Sequence, residues 1–223
     1  MRIVPERITV THLPELLPTT ANLSDSLDAV GERHRVLAER LPCAIPGSRI
    51  LGPARTVRFE PTDDVDPAKP YDDAIDFIDS IEPGEVVVIA TGESNASAFW
   101  GELFSAAALG RGAVGMVTDG NLRDSDKIIP LGFAAFARSH RPIDYRGRMR
   151  VTAVQQNVEI GGVEIAPGDL VAADDDGVVV IPAAVADQVL TVARARMSSE
   201  TSVLTDLVAG ATLREVWERY RIL

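Results

Sequence analysis

The stretch from Gly101 to Asp124, GELFSAAALGRGAVGMVTDGNLRD, constrains this chain more than any other, because a helix and a buried strand of matched length follow one another in it. Leu103, Ala106, Ala107 and Gly110 stand at i, i+3, i+4 and i+7, the spacing of one helical face, and Gly110-Arg111-Gly112 ends the pattern. Residues 113–118 then read as a buried strand that Asp119-Gly120 stops. About twelve helical residues at ~1.5 Å each travel about 18 Å, and about five strand residues at ~3.3 Å each cover nearly the same distance back. Arg123 and Asp124 are therefore expected at the N-terminus of the helix that opens near Glu102. Free backbone N–H groups and a partial positive charge suit that terminus to an anion. With two carboxylates, Glu102 and Asp124, and the Arg123 guanidinium beside it, the arrangement reads as an active site.

Upstream, residues 86–90 are five consecutive apolar residues, mostly β-branched, which predicts a strand buried on both faces. The small-residue loop 91–97 then leads from the end of that strand towards the helix, which is where open α/β sheets bind ligands. It is neither a dinucleotide fingerprint nor a phosphate-binding P-loop, since G-x-G-x-x-G and G-K-[ST] are both missing. With 46% apolar and only 5% aromatic residues, the composition fits sheets covered by helices. The reading is a single α/β domain over residues 1–182, followed by a helical extension over 183–223 that packs on the domain or on a neighbouring subunit.

Other elements follow from local pattern. A strand or extended arm is expected to residue 10 and a short helix over 13–17. Asn22 or Ser24 is preferred as a helix cap, with Asn22 and Asp25 as pocket-lining residues the alternative. A strand should start after a Gly52-Pro53 turn and run to Phe59. The acidic piece 60–76 reads as a solvated loop and helix face, residues 74–81 as a short helix, and 132–137 as another buried strand. The run 138–150 carries His140 and five arginines and reads as a solvated loop, the alternative being contact with a second acidic group of a substrate. Strands over 151–158 and 163–165 flank a Gly161-Gly162 hairpin, and 170–173 and 178–182 complete the β-rich part. Asp174, Asp175 and Asp176 are read as a turn rather than a metal site. Helices are expected over 187–197 and 201–208, and Thr212 with Glu215 forms a capping box for the last one.

Several function classes are disfavoured. A net charge of −11 works against nucleic-acid binding, which needs a basic surface. Cys43 is the single cysteine, so neither an internal disulfide nor a zinc–thiolate cluster is available, and it reads as a small packed side chain. The absence of an apolar run of about 18 residues argues against a membrane span and for a cytoplasmic protein. His12, His34 and His140 have no nucleophile turn to serve.

Two carboxylates, an arginine and a helix N-terminus can together bind a divalent cation and a small 2-oxo acid. The cation acts as a Lewis acid on the ketone oxygen and the arginine supports the enolate. So few protein ligands favour Mg2+ or Mn2+, which keep several waters. The competing chemistry is a Schiff base on one of the two lysines, Lys69 or Lys127, of which only Lys127 lies near Asp124.

Gly101-Glu102, twenty residues, then Arg123-Asp124 resembles the signature of the class II pyruvate aldolases that cleave 4-hydroxy-4-methyl-2-oxoglutarate and 4-carboxy-4-hydroxy-2-oxoadipate, a family that shares its fold with the regulator of ribonuclease E activity A. Thr20-Ala-Asn-Leu-Ser-Asp25, Gly52-Pro-Ala-Arg-Thr56, Arg111-Gly-Ala-Val-Gly115, Pro167-Gly-Asp169, the run from Ala173 to Pro182 and Leu213-Arg-Glu-Val216 extend the resemblance over roughly residues 15–223. It implies a swivelling β/β/α-type sandwich with mixed sheets, assembled as a homotrimer or homohexamer with sites between subunits. It also implies a metal on Asp124, Arg123 on the substrate and its enolate, and the substrate carboxylate at Gly101 with the N–H groups of Leu103 and Phe104. Glu102 would orient a proton-transferring water, with Glu200 of an adjacent subunit as its partner. The chain departs from the family pattern at Lys127, where the aldolases carry an acid, at Glu102, where Asp is frequent, and over residues 143–148. The alternative function is a protein-binding regulator of a ribonuclease. The retained Asp124 and Arg123 favour the lyase, because a regulator needs no metal carboxylate.

Overall fold

In the computed structural model, which describes residues 17–63 and 68–222, the chain begins with α1 (Thr20–Ala29), β1 (Ile50–Pro61), α2 (Asp72–Asp79) and β2 (Val86–Ala90). Next come β3 (Ala98–Trp100), α3 (Glu102–Arg111), β4 (Gly115–Leu122), α4 (Ser125–Leu131) and β5 (Ala135–His140). The remainder is β6 (Met149–Val154), β7 (Val158–Ile160), β8 (Val163–Ile165), β9 (Leu170–Ala173), β10 (Val178–Ile181), a 3-10 turn over Ala183–Val185, α5 (Ala186–Val208) and α6 (Leu213–Tyr220). The expected arm to residue 10, residues 13–16 of the expected first helix, and Asp64 and Asp66 lie outside the described residues.

Eight strands form one mixed sheet in the order β10-β9-β1-β2-β4-β3, with β5 also on β4 and β6 also on β1. The β1–β2, β2–β4, β3–β4 and β4–β5 pairs are parallel, while β6 and β9 run antiparallel to β1 and β10 antiparallel to β9. The fold is thus α/β with C-terminal helices, as expected. The twelve-residue β1 joins the two halves, since its first residues pair with β9 and its later ones with β2 and β6. No turn interrupts it at Gly52-Pro53: a Cβ on Gly52 would lie 2.2 Å from the Gly84 carbonyl oxygen, so that glycine serves a close backbone approach.

All five β2 residues are buried, and their alternation shows why an unbroken apolar run was needed. Val87 and Ile89 join a core with Phe59, Phe77, Phe99, Trp100 and Met116 on the face covered by α2, α3 and α4. Val86, Val88 and Ala90 face the opposite core with Val117, Phe136, Ile160 and Val171. A third cluster packs Leu23 and Leu27 of α1 and Val189 and Ala193 of α5 on Val179 and Ile181 of β10, seating the first half of α5 on the sheet.

Several expected boundaries move. The α1 cap is Thr19, whose hydroxyl accepts from the Asn22 N–H at 3.1 Å, so Asn22 and Ser24 are helical. Helix α2 starts two residues earlier than expected and ends at Asp79. Residues 132–134 precede β5, because Gly132 is the left-handed cap of α4, a helix not foreseen. The strand expected over 151–158 is β6 followed by a separate β7. The two helices expected after residue 187 are one, α5, which continues through Ser198-Ser199. The capping box of α6 is present. Among the described residues, no helix is long and apolar enough to cross a membrane.

Candidate active site

Strand β4 does not stop at Asp119-Gly120 but runs, fully buried, to Leu122. The Asp119 carboxylate is consumed by the Thr91 N–H at 2.7 Å, the Thr91 hydroxyl at 2.8 Å and the Glu93 N–H at 2.9 Å, which shapes the loop after β2. A Cβ on Gly120 would meet the Phe99 ring at 2.7 Å, so these two turn-forming residues serve loop anchoring and close packing. The extra strand length is used by β3, which pairs Ala98 with Asn121 and Trp100 with Leu122. Gly101 and Arg123 consequently leave the sheet side by side, and the Arg123 N–H donates to the Trp100 carbonyl at 2.9 Å.

Gly101 caps α3 in an extended conformation, φ −163°, open to any residue. Its lack of a side chain matters for space, since a Cβ would lie 2.9 Å from Asp124 Oδ2 and 3.0 Å from Arg123 Cγ. The Gly101 carbonyl accepts from the Ser105 N–H at 3.0 Å and the Ser105 hydroxyl at 2.9 Å, and the Trp100 indole N–H donates to Ser105 Oγ at 2.8 Å. The first intrahelical bond is therefore the one from Ser105. The N–H groups of Glu102, Leu103 and Phe104 have no partner within the helix, which is what an anion site requires. The Leu103 side chain is 77% exposed and the Phe104 ring lies 5.7 Å from that of Trp100, so both contribute backbone at this terminus.

Asp124 is the most unusual residue of the group. It occupies the N-cap of α4, yet its side chain caps nothing and its backbone is left-handed, φ 55° and ψ 36°. An ordinary Asp cap has extended backbone and accepts an N–H of the first turn. Here only its carbonyl serves α4, accepting from the Lys127 N–H at 2.9 Å and the Ile128 N–H at 3.1 Å. The carboxylate is left to the site, with Oδ2 3.6 Å from Arg123 Nε. Non-glycine residues in this region cost about 1–3 kcal/mol, and such strain concentrates at functional positions.

Arg123 also has Asp144 Oδ2 3.4 Å from Nη1, and Tyr71 donates its hydroxyl to that same oxygen. Burial alone would raise the Asp144 carboxyl, but the bonds from Tyr71 and the Arg146 N–H, with the Arg123 charge, outweigh it and hold the group below its ordinary value. The hydrogen bond to Asp144, then burial, push the Tyr71 phenol up. Glu102 Oε2 lies 3.2 Å from Lys127 Nζ, and that contact raises the lysine further. A Schiff-base lysine needs the opposite, a desolvated amine of lowered basicity, so Lys127 is poorly suited to the competing chemistry.

The structure thus brings together Gly101, Glu102, the N–H groups of Leu103 and Phe104, Arg123, Asp124 and Lys127. Glu200 lies elsewhere in the chain: on α5 it accepts from Asn22 Nδ2 at 3.1 Å and faces Arg196, which also pairs with Asp25. In the arginine-rich run, Arg138 and Arg141 bind the Glu93 and Asn95 carbonyls and Arg148 that of Asp144, so these three tie loops together. Asp174 takes the Thr20 N–H and hydroxyl and the Asp176 N–H, a structural turn. Burial pushes the Cys43 thiol up, as expected for a packed side chain. Tyr71, Asp144 and Ser105 were missed. The unusual segment 143–148 was the one available signal for Asp144, and none marked Tyr71, about seventy positions away.

For a metal, the donor set is decisive. Among the described residues no group of three or more His, Cys, Asp or Glu could hold an ion. A closed protein cage is therefore not what Asp124 belongs to. A single half-exposed carboxylate, uncommitted to capping, fits a hard cation that keeps most of its water, as Mg2+ and Mn2+ do.

Comparison with known proteins adds a second line. The family described as RraA-like, Aldolase/RraA, matches residues 20–180. The chain is 30% identical over 184 residues to the "Putative 4-hydroxy-4-methyl-2-oxoglutarate aldolase" of Halalkalibacterium halodurans, covering 82% of this chain and 81% of that one. It is also 30% identical over 201 residues to Protein DlpA of Legionella pneumophila, covering 90% of this chain but 32% of DlpA, so it spans about a third of that relative's length. Among solved structures, Streptomyces coelicolor RraAS2, an unusual member of the RNase ES inhibitor RraA protein family, superposes with a TM-score of 0.71 at 26% identity, covering 84% of this chain and 91% of RraAS2.

Proposed function

Because the chain belongs to the RraA-like family, Aldolase/RraA, we propose that it is a divalent-metal-dependent carbon–carbon lyase working through a pyruvate enolate. The substrate class is a 4-hydroxy-2-oxo acid of the 4-hydroxy-4-methyl-2-oxoglutarate type, cleaved by retro-aldol chemistry, with oxaloacetate decarboxylation as the related reaction. The observation that carries this reading is Asp124, a helix-cap residue with a strained backbone whose carboxylate is withheld from capping and set beside Arg123 and an open helix terminus.

In this reading Asp124 is the residue that would hold Mg2+ or Mn2+. The bound ion would supply Lewis-acid polarisation of the substrate ketone. The N–H groups of Leu103 and Phe104 take the carboxylate of the 2-oxo acid. Arg123 places its positive charge where the enolate oxygen develops, the point at which fixed charge lowers the barrier most. Glu102, with Lys127 against one of its oxygens, orients the water that returns a proton to the enolate carbon.

Glu200 enters this scheme only from a neighbouring protomer, and we infer a homotrimer or a hexamer of two trimers. The exposure of Leu204, Val208, Leu213 and Trp217 on α5 and α6 supports a subunit contact there. The second reading, a protein-binding regulator, draws on the likeness to RraAS2. It leaves the geometry of Asp124 without a purpose. Pyruvate release from 4-hydroxy-4-methyl-2-oxoglutarate and from oxaloacetate, assayed with Mg2+ and after chelation, tests the lyase. Turnover that disappears with chelator and returns with metal is the expected result, and no turnover on either substrate would favour the regulator.

A further inference from the structure

We propose that Asp144, anchored by Tyr71, is a positioning residue that fixes the Arg123 guanidinium over the reacting group, an inference that rests on the lyase reading above. An arginine at the end of a strand carries several freely rotating side-chain bonds, and that freedom must be lost before it can stabilise charge at one point. Asp124 Oδ2 stands 3.6 Å from Nε and Asp144 Oδ2 3.4 Å from Nη1. These two anchors on different nitrogens define the plane of the guanidinium and leave Nη2 for substrate.

Asp144 can do this because it is itself held from several directions. The Arg146 N–H donates to Oδ1 at 3.1 Å and the Tyr71 hydroxyl donates to Oδ2. The Ala98 N–H donates to the Ile143 carbonyl at 2.6 Å, tying this segment to β3, the strand that ends at Trp100 and leads directly into Gly101. Tyr71 is fixed in turn by edge contact of its ring with Tyr145, 5.6 Å between centroids, and Tyr145 packs against Phe59 and Phe99 of the core. The orientation of Arg123 is thus referenced to the aromatic core and to the strand that delivers the anion site.

The test is a double-mutant cycle on oxaloacetate decarboxylation with saturating Mg2+, using Asp144→Asn and Arg123→Lys singly and together, with oxalate affinity measured by calorimetry as a readout independent of turnover. Tyr71→Phe, which deletes only the hydroxyl, serves as a variant that keeps the fold. Positioning predicts that Asp144→Asn lowers kcat about tenfold with KM changed less than about threefold and weakens oxalate, and that the loss shrinks below about twofold in the Arg123→Lys background. Tyr71→Phe should move kcat in the same direction by a smaller factor. Equal losses in both backgrounds, or unchanged kcat and oxalate binding in an active enzyme, overturn the proposal alone. A wild-type protein that neither turns over substrate nor binds oxalate overturns the lyase reading and this proposal with it.

Discussion

Lys127 Nζ lies 3.2 Å from Glu102 Oε2, so the first turns of α3 and α4 are tied by a charge pair beside Asp124. Both side chains are substantially exposed, so solvent screens the pair and it adds little to stability. Lys127→Ala should therefore leave the melting temperature nearly unchanged and keep pyruvate release within about fivefold of wild type. Complete loss of activity, together with a borohydride-trapped substrate on Lys127 of the wild-type protein, would replace the metal mechanism with a Schiff base.

Ser105 supports the anion site from beneath. It is fully buried, and its hydroxyl links the Trp100 indole to the Gly101 carbonyl. Ser105→Ala strands the buried indole N–H, at a cost of about 1–3 kcal/mol. For a chain of this size that lowers Tm by about 3–10 °C in a thermal melt. An unchanged Tm would mean the indole finds another acceptor.

Gly101→Ala separates space from conformation. The backbone angles accept alanine, but the new Cβ would stand 2.9 Å from Asp124 Oδ2 and must displace that carboxylate. The expected outcome is a folded protein whose Mn2+ affinity, read by calorimetry, falls about tenfold. Wild-type affinity would show that the position of the carboxylate is not critical.

Much of this site was legible because its two halves lie within one helix and one strand, whose lengths can be summed from the sequence. The arithmetic gave the right destination with a wrong intermediate. Asp119-Gly120 looked like a stop, whereas the aspartate is spent on Thr91 and Glu93 and the glycine makes room for Phe99. Gly52-Pro53 misled in the same way. In each pair the glycine answers a tertiary contact, and local pattern carries no information about what approaches from elsewhere in the chain. Tyr71 and Asp144 were invisible for the same reason, since they meet only after the segment around Ile143 has docked on β3. Glu200, expected beside a neighbour's site, is seen here with Asn22 of α1 and Arg196 of its own helix.

The Asp144 carboxyl also makes stability depend on pH in a defined direction. Burial opposes its charge, but Tyr71, the Arg146 N–H and Arg123 together hold it below the ordinary value of 3.8. A lowered folded-state value contributes stability above that pH, and the contribution is lost as pH falls through the lowered value. The difference in urea midpoint between wild type and Asp144→Asn should be open at pH 7 and close as pH falls below the ordinary carboxylate range, where the carboxyl is protonated in both states. A gap that widens in acid would reverse the assignment.

The most direct test is Asp124→Gly, because glycine accepts without cost the left-handed backbone that the aspartate tolerates at a cost, while the side chain and its carboxylate are removed. Stability and metal-dependent turnover are measured on the same preparation. The expected result is a Tm equal to or above wild type with Mg2+-dependent pyruvate release reduced by at least about a hundredfold. Retained Mg2+-dependent turnover in a well-folded Asp124→Gly protein would contradict the account at its centre.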